Sequence, residues 1–115
     1  MIFHVTNVTV FTHYEKDLDI YFVRFYKTDT HENWISPFTK EELELFSISF
    51  STSIPLIPIS NNQCIACEET GRNSYEISIY KDKSLLLMEK EPSFSFEISK
   101  PLSTIFQSNL CSAIQ

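Results

Sequence analysis

A chain of 115 residues, 43% hydrophobic and 14% aromatic, has the material for one folded domain and too little for two. Its single glycine, Gly71, excludes the glycine-rich loops that cradle phosphates, dinucleotide-binding folds of the usual kind, and the nucleophile elbow of the α/β-hydrolases. The net charge of −6 argues against nucleic acid, whose phosphates need clustered lysine and arginine.

In chain order, the dominant hydrophobic period is two. Within residues 2–12, Phe3 and Val5 share one face and Val8 and Val10 the other, so the phase changes near Asn7 and predicts a bulge or bend. Residues 13–19 are polar and turn-like. Residues 20–28 predict a strand, with Ile20 and Phe22 opposed to Tyr21, Val23 and Phe25, paired with the first in a hairpin. Ser36-Pro37 suits a helix start and Thr39-Lys40-Glu41-Glu42 matches a capping box, so a short helical turn is expected near residues 37–42. Beyond it, Phe46, Ile48 and Phe50 alternate with Ser47, Ser49 and Ser51, which predicts a strand over 43–50, although propensity alone allows one longer helix.

Pro55 and Pro58 each remove a backbone donor and mark an edge segment or extended loop. Residues 63–68 predict a short strand and Glu69 to Asn73 a turn. Tyr75, Ile77 and Ile79 alternate with polar neighbours, as do Phe94, Phe96 and Ile98. Leu85 to Met88, set between two polar turns, predicts a strand buried on both faces, so the three form an antiparallel meander. At the C-terminus the period changes. Leu102, Ile105, Phe106, Leu110, Ala113 and Ile114 fall on one helical face, with entry at Ser99 or Lys100 before Pro101. The sequence displays no internal repeat. The expected fold class is α+β: a mostly antiparallel sheet of six or seven strands with a C-terminal helix packed on it, one globular domain over residues 1–115. A β-sandwich or open barrel with a terminal helix is the structural alternative.

The charge is unevenly placed. Residues 1–28 and 72–115 are each balanced, while residues 29–71 carry seven carboxylates against Lys40, an excess of six that accounts for the whole net charge. A one-sign stretch attracts cations and basic partners. The chemical motifs are weaker. Cys64-Ile65-Ala66-Cys67 could be redox-active or half of a zinc site, but no second ligand pair and no βαβ context accompany it, so both cysteines are read as small buried hydrophobes. His13 and His31 stand beside Glu15 and Glu32, yet neighbours in a strand point to opposite faces, so both are read as surface histidines. The Ser47, Ser49 and Ser51 row reads as solvent-facing. Asn7-Val8-Thr9 matches a glycosylation acceptor by chance.

These observations favour a small acidic binding protein with no catalytic residues, cofactor or metal. Its expected partner is a basic protein, with no nucleic acid and no membrane involved. The most concrete version is an immunity protein that covers the active cleft of a basic nuclease-type toxin. The expected contact residues are Asp29, Glu32, Trp34, Glu41, Glu42, Glu44, Glu68 and Glu69, with Trp34, for which core packing is the commoner fate, as aromatic anchor. No signal peptide or membrane-spanning stretch is read at the N-terminus, and an odd number of cysteines suits a reducing compartment, so a cytoplasmic location is expected. Two other readings stand beside it: a β-rich enzyme using a histidine and a carboxylate, and a homodimeric structural or accessory subunit.

Overall fold

The computed structural model describes residues 1–52, 56–59, 62–71 and 73–114, and for 50–52 the backbone alone. Ile54, Pro55 and Arg72, and the side chains of Phe50 and Ser51, on which some sequence expectations fell, lie outside the described residues. The fold is α+β and antiparallel. Strands β1 (Ile2–Val5), β2 (Val8–Glu15), β3 (Ile20–Lys27) and β4 (Asn33–Phe38) form a first sheet in chain order, and helix α1 (Lys40–Thr52) follows. Strands β5 (Leu56–Ile59), β6 (Gln63–Thr70), β7 (Ser74–Tyr80) and β8 (Phe94–Ser99) form a second sheet, with short helix α2 (Lys83–Leu87) between its last two strands and helix α3 (Lys100–Ile114) after them.

Several local expectations are corrected. The phase change near Asn7 is a complete hairpin, since Val5 pairs with Val8 and Phe3 with Val10. The two-residue turn brings all four side chains to one buried face, with Thr6 at a left-handed φ of 55°. The strand expected over 43–50 is helix α1. Its start is the capping box: the Thr39 backbone N–H donates to Glu42 Oε1 (2.9 Å) and the Glu42 N–H donates to Thr39 Oγ1 (3.2 Å). The Ser36-Pro37 start is not used; both residues lie in β4. Ser47 and Ser49 mimic strand alternation, but both are buried and donate their hydroxyls to carbonyls three residues back, at 2.7 and 2.8 Å. The strand expected over Leu85–Met88 is helix α2 and its end. Asp82 caps it by accepting the Ser84 backbone N–H (2.9 Å), and Leu85 and Leu86 pack over Cys64, Ala66 and Tyr80.

The predicted C-terminal helix is present. Ser103, Phe106 and Leu110 form its buried line, while Ile105, placed on that face by periodicity, is half exposed. Pro58 lies in β5, an edge strand, as its missing donor requires.

Both sheets and both long helices supply one hydrophobic core. Seven of the ten phenylalanines form its centre. The Phe46 ring stacks on Phe38 (5.7 Å) and meets Phe106 edge-on (5.7 Å), Phe106 meets Phe3 (5.9 Å), and Phe25 contacts Phe96 across the sheets (5.2 Å). Among the described phenylalanine side chains only Phe11 and Phe22 stand outside this core.

The architecture is one motif used twice: four antiparallel strands in chain order, then a helix. The ladders align the two copies residue by residue. Phe25 pairs with Trp34 and Tyr21 with Phe38 in the first sheet; Ile79 pairs with Phe94 and Tyr75 with Ile98 in the second. Phe46 and Phe106 then fall eight residues after Phe38 and Ile98, each fully buried. The repeat is invisible in the sequence because equivalent core positions hold different apolar side chains, and because the β7–β8 connection carries α2 where β3–β4 has a short loop.

Candidate functional site

An open cleft of about 460 Å³ lies where the β1–β2 turn and the end of β3 approach β7 and β8. Asp29, Glu76 and Glu97 line it together with Lys27, Thr6 and Asn7. Local hydrogen bonds fix its first-sheet wall. The Asn7 carbonyl accepts from the Thr28 backbone N–H (2.8 Å) and hydroxyl (3.0 Å), and Asn7 Nδ2 donates to Asp29 Oδ2 (2.9 Å). Lys27, the one base among the described lining residues, is engaged with Glu32, its Nζ 3.9 Å from Oε1.

The second-sheet wall continues into a row of acids. Glu68 of β6 is the cross-strand partner of Glu76 in β7, and Glu76 is the partner of Glu97 in β8. Directly opposed residues project from the same face, so three carboxylates stand side by side on the outer face of the second sheet. Among the described residues, none of the three is in an ion pair. Glu76 accepts from the Ser78 hydroxyl at 3.3 Å. Burial, then the Glu68 carboxylate and, more weakly, Glu76, hold the nearby Tyr80 phenol above its ordinary value. The row therefore presents one sign of charge beside a cleft wide enough for a cationic side chain.

The eight contact residues expected from sequence lie on four elements. Asp29 lines the cleft and Glu68 adjoins it in the ladder. Glu32 stands in the same loop as Asp29, neutralised by Lys27. Trp34, on β4, is half-buried against the core and donates its indole N–H to Ser36 Oγ (2.8 Å). Glu41 and Glu42 lie in the first turn of α1, where acids offset the helix dipole and Glu42 closes the capping box, and Glu44 is exposed in the turn after it. Glu69 is paired with Lys100, which also sits over the Tyr75 ring. Sequence reasoning missed Glu76 and Glu97 because their segment sums to zero charge. The alternation around each residue does place both on polar strand faces, but their mutual register depends on the β7–β8 connection, where the sequence predicts a strand and the structure has α2.

Other sequence candidates find structural places. Cys64 and Cys67 are three residues apart on β6 and so face opposite ways: Cys64 lies under α2, and Cys67 points at the core within 3.6 Å of Ser49 Oγ. They cannot act as a pair. His13 lies 3.6 Å from Glu15, two residues along the same strand face, His4 bonds Thr9 (2.9 Å), and His31 bonds Tyr26 (2.6 Å). None of the three lines this cleft. Among the described residues no cluster of histidine, cysteine or carboxylate side chains is arranged to hold a metal ion, and no helix is long and apolar enough to cross a membrane. Comparison with protein-family models, curated proteins and solved structures finds no match.

Proposed function

We propose that this chain is a binding protein for a basic partner, most concretely an immunity-type inhibitor, which docks the acid row and its cleft over the cationic active surface of a toxin-like protein. The observation that carries this reading is the Glu68–Glu76–Glu97 row. Like charges directly opposed on a sheet are destabilising, and no described lysine or arginine forms an ion pair with them; Lys27, on the same cleft, is engaged with Glu32. A cationic partner relieves the repulsion on binding, so part of the interaction energy is stored in the free protein. The open field also speeds encounter with a basic surface. Three free cysteines fit action in the reducing cytoplasm. An enzyme built on a histidine–carboxylate pair has weaker support, since His13 and Glu15 form an exposed pair outside the cleft.

Affinity capture from the source cells with mass spectrometry identifies the partner, and stopped-flow association then tests the mechanism. The association rate should fall steeply between low and high salt. The triple variant Glu68→Gln, Glu76→Gln, Glu97→Gln should bind about tenfold or more weakly while folding normally. A salt-independent rate, or full affinity in the triple variant, removes the acid row from the interface.

A further inference from the structure

The outer face of the first sheet has a different character. Ile2, Phe11, Arg24 and Ile35 are directly opposed across all four strands, and Phe22 and Pro37 continue the face in the next row. Both long helices pack on the other side of this sheet, through Phe38–Phe46 and Phe3–Phe106. Ile2 is 61% exposed and Ile35 53% exposed, and the Arg24 guanidinium lies over the Phe11 ring at 5.4 Å. A protein that commits seven phenylalanines to its core leaves Phe11 and Phe22 facing outward here.

We infer that this face is where two copies of the chain meet, outer sheet against outer sheet. The charge pattern selects a second copy as occupant. Face-to-face packing of identical sheets places the two-fold axis between them. An axis along the strands, between β2 and β3, sets each Arg24 over the other copy's Phe11 and each Ile2 over the other's Ile35. An axis across the strands, between the two rows, sets Arg24 over Phe22. In either arrangement the guanidinium meets a phenyl ring and never its own equivalent, and cation–π contact follows. The size also suits a pair. Four strands about 4.8 Å apart, with residues rising about 3.4 Å each, give a face on the order of 500 Å² in projection. Side-chain relief adds to that area, which compares with the roughly 600–1,000 Å² per partner of specific interfaces. The outer face of the second sheet, with its acid row and α2, stays open in the dimer.

Sedimentation velocity on the full chain over a concentration series tests the inference. A species of twice 13.4 kDa should grow with concentration. Ile35 belongs to neither hydrophobic cluster, so Ile35→Glu should abolish that species with an unchanged thermal melt. Arg24→Glu, at an exposed position, should do the same and stands in if the first variant folds poorly. The triple glutamine variant of the acid row should dimerise normally. A chain that is monomeric at every concentration overturns the inference and leaves the face to a different protein. A dimer that survives both face variants, or that the glutamine variant dissolves, places the contact elsewhere and overturns it too.

Discussion

Cys67 shows how a single side chain couples to its surroundings. It points from β6 into the core, and burial pushes its thiol from 9.0 up to about 11, opposed weakly by the Ser49 hydroxyl. The fold thus holds the proton more tightly than the unfolded chain does. The associated stability is intact below the unfolded value and is lost as pH rises through the folded one. Urea unfolding followed from pH 8 to pH 11 should therefore show stability declining above about pH 9, by on the order of 2 kcal/mol from this group. Cys67→Ala should flatten that decline. Tyr80, raised mainly by burial, adds a slope of the same sign that survives the substitution. An equal slope in both proteins removes Cys67 as a source.

At the level of elements, the outcome depended on whether a local signal carried its own stereochemistry. Thr39-x-x-Glu42 did: both reciprocal bonds form, and the helix begins where the box placed it. Thr39→Ala should lower stability by about 1 kcal/mol in chemical denaturation, whereas Ser36→Ala should act through the lost Trp34 hydrogen bond and leave helix content unchanged. Strands β3, β7 and β8 were legible because alternating apolar residues make only one buried face. Residues 43–50 were not, because Phe46 and Leu43 satisfy a helical spacing as well as the serine alternation suggests a strand, and the deciding contact is with Phe106 of α3, far along the chain. Leu85 to Met88 misleads because four apolar residues in a row have no period; with Leu87 82% and Met88 62% exposed, half of that run is not core at all. The cleft was half legible. Asp29 was visible as part of an acidic stretch, while Glu76 and Glu97 required the register of β7 against β8, which no local signal supplies.

For the whole molecule, charge counted along the chain and charge gathered in space proved to be different quantities. Within the acidic stretch of residues 29–71, Glu32 is engaged with Lys27, Glu69 is paired with Lys100, and Glu42 closes the cap of α1. The row that remains uncompensated draws two of its three members from a neutral segment. Glu76 is opposed by a carboxylate on either side, so Glu76→Gln should raise folding stability by roughly 0.5 kcal/mol at low ionic strength, with the gain shrinking as salt is added. A denaturation series at two salt concentrations checks this; a loss of stability would mean the Ser78 hydrogen bond outweighs the repulsion.

Every ladder among the described residues joins strands that follow one another in sequence. Each pairing closes only a short stretch of chain, so both sheets can zip up hairpin by hairpin, with little entropy lost per step. The demanding event is the meeting of Phe46 with Phe106, which brings the two motifs into one core. Refolding should therefore show rapid early formation of the hairpins and a barrier governed by the docking of one half upon the other.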